Sequence, residues 1–149
     1  MKVIKGVNIF VKKDDKFLAV KRAKQDKIFG GMWGLPGGQI EKGESVFQAA
    51  KRELKEETNL DLISLEENFC LKGRLDIPSY PPILLFVYKG KVSSGIPSPN
   101  DSDVEKIKWI KAVPFLNSLK KKNYPSKEIK NFTKFLISEG LLNLSDCKF

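Results

Sequence analysis

Three glutamates at helical spacing constrain this chain more than any other feature. The segment 52–57 reads RELKEE. It places Glu53, Glu56 and Glu57 on one side of a helix, because residues three and four apart are neighbours on a helix surface. They also fall in the expected last turn, where the helix dipole disfavours acidic side chains. We therefore expect a compensating cation, and oxygen ligands at this density suit Mg²⁺ or Mn²⁺.

The limits of this helix follow from its capping residues. Ser45 followed by Gln48 is a capping-box pattern, so the helix should begin near Val46. Asn59 predicts its end, because Asn tolerates the left-handed conformation that often follows a helix. We expect an apolar stripe beside the carboxylates, facing a core. It consists of Phe47, Ala50 and Leu54.

Upstream of the helix, residues 33–38 read WGLPGG. The pattern predicts a short strand, Met32 to Leu35, that gives way to a tight loop. Gly37 and Gly38 carry no Cβ atom, so a backbone carbonyl or amide can approach a metal or phosphate closely. A Gly-Gly pair after proline is by itself a common turn. Its fixed offset from the acidic helix makes it informative.

The joint spacing resembles the signature of the Nudix hydrolases. Gly38 is followed after five residues by Glu44, and after seven more by RELKEETNL at 52–60. Only Asn59 departs from the pattern, where the family usually has glycine, and Asn accepts the same backbone conformation. The resemblance implies the α/β fold of the family, an α/β/α sandwich with a mixed β-sheet, which we expect to form a single domain over residues 1–149.

The resemblance also implies a function. A Nudix enzyme of this kind would be a Mg²⁺-dependent pyrophosphohydrolase, in which metal-activated water cleaves a phosphoanhydride bond of a nucleoside diphosphate linked to another group. Such substrates include (deoxy)nucleoside triphosphates and ADP-ribose. By the same resemblance, Glu53, Glu56 and Glu57 would bind Mg²⁺ or Mn²⁺, with help from the Gly38 carbonyl.

Two further signature positions would act on these ligands. By the resemblance, Arg52 would orient one carboxylate of the metal set, and Glu44 would turn back to pair with Arg52. The general base is open, because the chain contains no histidine and a carboxylate or a basic side chain with a shifted pKa must take that role. Glu53 is the first candidate. Asp103 is the second, since several similar proteins supply a base from this later loop; a solvated turn is the alternative for Asp103.

Candidate substrate contacts lie outside the signature helix. Arg22 closes the second strand, where a basic residue in similar proteins often contacts a substrate phosphate, although an exposed strand end explains it equally well. Gly37 would bring its backbone close to the substrate. Phe29 or Trp33 would stack on a nucleobase, with a core position as the alternative for Trp33.

The charge balance suits an anionic partner. The chain carries 27 Lys and Arg against 18 Asp and Glu, a net charge of +9, which favours binding of a nucleotide. The lysine run 120–122 lacks the interleaved aromatic residues that stack bases, so nucleic acid binding is not favoured. An enzyme acting on the cap or triphosphate of an RNA 5′ end, and a non-catalytic nucleotide-sensing module, stay open as alternatives.

The remaining sequence predicts a compartment and a strand order. No apolar run approaches the roughly 20 residues of a membrane span, no signal-peptide core is evident, and the two cysteines are expected to be free thiols in the cytoplasm. A homodimer is common among similar proteins and is left open.

We expect strands at 2–13, 17–20, 32–35, 62–75 (one strand or a bent pair), 83–88 and 106–110. The first two strands should form a hairpin. A helical turn at 114–119 and a helix at 126–139 should follow the last strand.

Overall fold

The computed structural model describes residues 2–26 and 28–146. These residues form nine strands, three α-helices and one short 3₁₀ helix. In chain order they are β1 Ile4–Phe10, β2 Lys12–Lys13, β3 Lys16–Arg22, β4 Trp33–Gly34, β5 Gly37–Gln39, α1 Val46–Thr58, β6 Leu62–Leu65, β7 Leu71–Leu75, β8 Ile83–Val92, β9 Val104–Ile110, α2 Ala112–Lys121, α3 Ser126–Ser138 and the 3₁₀ helix Leu144–Asp146. Cys147 lies outside the described residues.

The strands form two sheets. The larger is mixed, with the order β5-β1-β8-β6 and with β7 also paired to β8. β8 is parallel to β1. It is antiparallel to β6 and β7, which pair with different parts of its length. The predicted central strand at 83–88 is therefore confirmed. The smaller sheet is antiparallel and joins β3 to β2, β4 and β9.

The predicted hairpin between the first two strands is wrong in part. The chain divides at Val11, and only the two residues of β2 pair with β3 across the turn. β1 belongs to the larger sheet, where β5 and β8 occupy its two edges. Apolar side chains on both of its faces explain this placement, because Val7 and Ile9 pack in one core and Phe10 in the other. The segment 62–75 likewise forms two strands, β6 and β7.

Two hydrophobic cores hold the helices on opposite faces. In one core, phenylalanines from β1 and β3 contact those of α2 and α3, with the rings of Phe10 and Phe135 4.9 Å apart. In the other core, Leu54 of α1 packs with Leu18 of β3. Neighbouring residues of a strand point to opposite faces, and Phe17 accordingly joins the first core. The expected α/β/α arrangement with a mixed sheet is confirmed.

Helix α1 has the predicted limits but a shorter buried face. Ser45 and Gln48 form both hydrogen bonds of a capping box, and Asn59 adopts the left-handed conformation with φ of 63°. Phe47, however, is 41% exposed, which corrects the expected apolar stripe. Full burial begins at Ala49, and in the first turn Val46 packs only partly against the core.

The C-terminal helices are close to expectation. The helical turn at 114–119 is part of the longer α2, and α3 ends at Ser138, just before Gly140. None of the helices in the described part of the chain combines the length and the apolar character that a membrane crossing requires.

Candidate active site

The site forms where helix α1 meets the edge strand β5. Leu54 is fully buried and anchors the helix in the core. Glu53 and Glu57 of the same helix reach β5. The Glu53 carboxylate lies against Gly38 so closely that a Cβ atom there would sit 2.4 Å from Glu53 Cδ. Glu57 Oε1 accepts a hydrogen bond of 2.8 Å from the N–H of Gly37. The glycine pair therefore admits both carboxylates to the backbone.

Glu57 is the most deeply placed of the three glutamates, with 3% of its surface exposed. Its Oε2 atom forms an ion pair with Nη1 of Arg22. Nη2 of Arg22 also donates to the carbonyl oxygens of Gly37, at 3.2 Å, and Leu35, at 3.4 Å. Burial lowers the pKa of the Arg22 guanidinium, and nearby carboxylates oppose that shift. Arg22 thus carries a positive charge into the interior next to the glycine loop.

Arg52 connects the helix to the loop that precedes it. Its Nε and Nη2 atoms donate to the two carboxylate oxygens of Glu44 at 2.7 and 2.8 Å. Its Nη1 atom donates to Glu53 Oε1 at 2.8 Å and lies 3.5 Å from Glu56 Oε2, and Nη2 also donates to the Gln39 carbonyl. One guanidinium therefore fixes the position of the Glu53 carboxylate relative to the rest of the site.

The two carboxylates bonded to Arg52 have pKa values shifted in opposite directions. The hydrogen bonds from Arg52 lower the pKa of Glu44 to about 2. Burial raises the pKa of Glu53, and the hydrogen bond and charge of Arg52 oppose that rise. A carboxylate with a raised pKa binds a proton more readily, which is a property of general bases that work near neutral pH.

The three signature carboxylates do not converge on one point in this structure. Glu57 is held by Arg22 and Glu53 by Arg52, while Glu56 Oε2 lies 3.5 Å from Nη1 of Arg52. No group of three or more acidic or cysteine side chains in the described part of the chain has the geometry of a metal site. This differs from the expected cluster, because a guanidinium is the strongest partner that each carboxylate finds locally. Their chemistry nevertheless fits a hard divalent ion, which prefers carboxylate and carbonyl oxygens.

A cavity of about 370 Å³ opens next to these groups. Eight of the predicted site residues line it. They are Arg22, Phe29, Trp33, Gly37, Gly38, Glu53, Glu57 and Asp103. Glu44, Arg52 and Glu56 are not part of its walls. Asp103 is exposed at the cavity mouth, and its carbonyl oxygen accepts the N–H of Ala23.

Five polar residues that line the cavity were missed by sequence reasoning. They are Asn8, Asp26, Gln39, Tyr124 and Glu128. Asp26 could have been recognised as a turn residue, because an aspartate often bonds the backbone two residues further on. Its Oδ1 atom accepts the N–H groups of Ile28 and Phe29. Asn8 interrupts the apolar run of β1. Tyr124 and Glu128 gave no signal, since only the packing of α3 on the sheet brings them to the cavity.

The Glu44 pair predicts how the stability of the fold depends on pH. The pKa of Glu44 is about 2 in the folded chain, against its usual 4.5. Its ionised form therefore stabilises the fold above pH 4.5, and this contribution is lost as the pH falls toward 2. We expect the difference in Tm between the wild type and Glu44→Gln to shrink across this window. Thermal melts at successive pH values measure it, and a constant difference would contradict the assignment.

Comparisons with known proteins agree with this geometry. The family model described as NUDIX domain matches residues 3–130. Phosphatase NudJ of Escherichia coli K12 is 29% identical over 106 residues, which cover 70% of this chain and 66% of NudJ, just under two thirds of that relative's length.

Solved structures resemble the fold as well. The MutT protein from Methanosarcina mazei Go1 superposes with a TM-score of 0.75 at 18% identity, covering 92% of this chain and 95% of that one. A NUDIX hydrolase from Nitrosomonas europaea gives a TM-score of 0.71 at 21% identity, covering 99% and 97%. At these identities the two structures establish the fold alone.

Proposed function

Since the chain belongs to the Nudix hydrolase family, whose members act on phosphoanhydride substrates, we propose that it is a Mg²⁺- or Mn²⁺-dependent pyrophosphohydrolase of nucleoside diphosphate derivatives. One observation carries the proposal. Glu53 and Glu57 meet the glycine backbone of β5 at one side of a cavity whose other walls are largely apolar and aromatic. Such a cavity offers a charged region for the polyphosphate and an apolar region for the nucleoside.

The charged region would hold the phosphates. Glu53, Glu56, Glu57 and the Gly38 carbonyl are the proposed ligands of a divalent ion, which would neutralise phosphate charge and lower the pKa of an attacking water. Arg22 lines the same part of the cavity, and its guanidinium can pair with a phosphate in the bidentate manner that arginine favours.

Glu53 is the proposed general base. Burial raises its pKa, and the hydrogen bond from Arg52 fixes the orientation of its carboxylate. Asp103 is the second candidate, because it lines the cavity from the opposite sheet and lies close enough for its charge to act on Arg22. A base must reach the water that attacks phosphorus, so only one of the two positions can serve in a given substrate pose.

The apolar region would hold the nucleoside. Phe29 and Trp33 line it and are partly exposed, as stacking residues must be. Nζ of Lys108 lies 4.8 Å from the centroid of the Trp33 ring, so a cation already covers that ring from one side. Stacking on a cation-supported aromatic face is a sequence-tolerant way to bind any base.

A substrate panel tests the proposed function. Purified protein is incubated with Mg²⁺ or Mn²⁺ and each of (deoxy)nucleoside triphosphates, ADP-ribose, dinucleoside polyphosphates and nucleotide sugars, and the products are identified by mass. We expect cleavage within the diphosphate unit that ceases when the metal is chelated. Turnover that survives chelation, or cleavage only of phosphomonoesters, would overturn the proposal.

The same panel separates the alternatives. The net charge of +9 is the only sequence feature that points to RNA 5′ ends as a second substrate class. An enzyme that needs RNA would show a steep loss of activity with salt. Activity on free nucleotides that is insensitive to salt would exclude it. Binding of nucleotides without turnover would identify a non-catalytic module.

Substitution of Arg52 by lysine tests its role as a positioning residue. Lysine carries the charge but cannot bond Glu44 through two nitrogens while holding Glu53. We expect kcat/KM to fall by about 10- to 100-fold, the usual effect of losing a group that orients a ligand, with the melting temperature little changed. The measurements are steady-state kinetics and a thermal melt.

Arg74→Lys is the matched control. Arg74 makes a similar fork to Asp76, with Nε and Nη2 at 2.9 and 3.0 Å from the carboxylate oxygens, but both residues are exposed and outside the cavity. Its kcat/KM should equal that of the wild type. Equal kinetics for the Arg52 and Arg74 variants would remove Arg52 from the site.

A further inference from the structure

We propose that a strip of lysines outside the cavity binds a single-stranded nucleic acid. The lysine strip consists of Lys21 of β3, Lys106 and Lys108 of β9, and Lys122 directly after α2, and it borders Trp33 of β4. None of the four lysines lines the cavity, whereas Trp33 does. The inference goes beyond the proposed function and does not rest on it, because binding at this surface requires no hydrolysis.

The smaller sheet brings three of these lysines together. Lys21 and Lys106 are direct partners on β3 and β9, and Lys21 is also the partner of Trp33 on β4. Lys108 follows Lys106 by two residues, so their side chains leave the same face of the sheet about 7 Å apart. Nζ of Lys108 lies 4.8 Å from the centroid of the Trp33 ring. Amines and an indole ring therefore share this face.

The lysines of the sheet have no anionic partner in the protein. Like charges on directly opposite strand positions repel each other, as the amines of Lys21 and Lys106 must. In the part of the chain that the structure describes, no carboxylate forms an ion pair with Lys21, Lys106 or Lys108. An anionic ligand would relieve this repulsion.

Protection of a sheet edge does not explain the arrangement. Lysines on edge strands discourage pairing with other chains, and this role fits the two lysines of β9. Lys21, however, lies on β3, which has β4 on one side and β9 on the other. A charge on an inner strand, opposite another charge of the same sign, indicates a binding surface.

Lys122 extends the strip toward α2. A Cβ atom built on Gly31 would lie 3.3 Å from Nζ of Lys122, and Gly31 precedes Trp33 by two residues. The lysine run 120–122 contains no aromatic residue, but folding brings its last amine next to the segment that leads into Trp33. The folded chain thus supplies the aromatic neighbour that the run lacks in sequence.

A single-stranded nucleic acid is the ligand that uses both kinds of side chain. Lysines neutralise the phosphates of such a strand, and an aromatic side chain stacks on a base that is not paired. Lys106, Lys108 and Lys122 are exposed, and Trp33 is half-buried. A duplex offers phosphates, but its bases already stack on one another. An acidic protein segment offers charge but no base for Trp33.

The experiment measures binding of a labelled oligouridylate of about eight nucleotides, within the usual site sizes for single strands, to the intact protein by fluorescence anisotropy. The probe has a 5′ hydroxyl and no phosphoanhydride bond, so its binding is separate from hydrolysis. Each neutralised phosphate adds roughly 0.7 to the slope of log Kd against log salt, so four lysines predict a slope of about 3. No binding at low salt, or a slope near zero, would overturn the inference.

Lys21→Gln combined with Lys106→Gln removes the two amines that face each other. The slope should fall by roughly 1.4, the share of two phosphate contacts. The melting temperature should not fall, because the change removes a repulsion between partners. Lys21→Arg combined with Lys106→Arg keeps both charges and should keep the wild-type slope. An unchanged slope in the glutamine variant would contradict the proposal.

Lys130→Gln combined with Lys134→Gln is the matched control. Both lysines are exposed on α3 and neither lines the cavity, so this variant loses the same charge from another surface. It should keep the wild-type slope. Equal losses in the two glutamine variants would show that the net charge of +9 attracts the oligonucleotide without a defined site, which would overturn the inference.

Two competitors test the class of ligand. Duplex RNA and a polyglutamate peptide, each of the same length as the probe, should displace it about fivefold less well than the unlabelled single strand, because neither presents an unpaired base to Trp33. Equal or better displacement by either one would assign the surface to another kind of ligand.

The outcomes also separate this inference from the proposed function. Hydrolysis of nucleotides without binding of the oligouridylate would overturn the inference while the hydrolase assignment stands. Binding that depends on Lys21 and Lys106, in a protein that hydrolyses none of the nucleotides of the substrate panel, would support the lysine strip and overturn the hydrolase assignment.

Discussion

Replacing Glu57 by glutamine is expected to lower kcat/KM by about 10²- to 10³-fold, the range found when one preorganised electrostatic group is lost from an active site. Glu57 is buried, fixes the Gly37 N–H and pairs with Arg22, and it is a proposed ligand of the divalent ion. The amide removes the negative charge but keeps the size of the side chain. Steady-state kinetics with the best substrate of the panel measures the effect.

The same variant should lose stability. An uncompensated Arg22 in a largely buried position costs about 2 kcal/mol, less than the roughly 3–5 kcal/mol of a fully buried broken pair because Arg22 keeps its bonds to two carbonyls. Mg²⁺ should raise the Tm of the wild type and leave that of Glu57→Gln unchanged. Glu67→Gln is the control in both measurements. A folded variant with undiminished turnover would remove Glu57 from the site.

Gly37→Ala is expected to destabilise the fold by about 3 kcal/mol or more and to abolish activity with it. A Cβ atom at this position would lie 2.1 Å from the Val7 carbonyl oxygen and 2.4 Å from Asn8 Oδ1. The Val7 oxygen is backbone in the centre of the sheet and cannot move aside. The φ angle of 155° is also one that alanine rarely adopts, so overpacking and backbone strain add.

Gly34→Ala provides the comparison. A Cβ atom there would meet nothing within 4 Å, and the φ angle of Gly34 is not positive. Its free energy of unfolding should stay within about 0.5 kcal/mol of the wild type. Urea denaturation of both variants gives the two values, and equal stabilities would show that the approach of β5 to β1 is looser than the structure indicates.

Helix α1 was predictable because its signals are local. Ser45 and Gln48 bond to each other's backbone within one turn, and Asn59 ends the helix by its own conformational preference. The pairing of Glu44 with Arg52 is nearly as local, since eight residues separate them. Patterns of this kind need no knowledge of what the helix packs against.

Features that depend on distant parts of the chain could not be obtained in this way. The position of β1 next to β8 is fixed by cores on both faces, so local periodicity favoured a hairpin with β3 instead. Phe47 fits the helical stripe, but its side chain is not covered by the core in the folded chain. Glu128 reaches the cavity only because α3 packs over Gly73. Helical spacing alone predicts that the three signature carboxylates form one cluster. In the folded chain, Arg22 pairs with Glu57 and Arg52 with Glu53 instead.

The pairing of β1 with β8 also affects how the protein is made. Ile4 is the partner of Ile83, so about half of the chain must be synthesised before the first strand can pair with its parallel neighbour. Contacts between residues so distant in sequence form slowly. A ribosome-bound fragment that ends soon after α1 would contain the acidic helix together with β1 and β5, but not β8, the other neighbour of β1 in the sheet. We therefore expect the carboxylates to gain their positions late in synthesis, after β8 has emerged, and N-terminal fragments to be targets for chaperones and proteases.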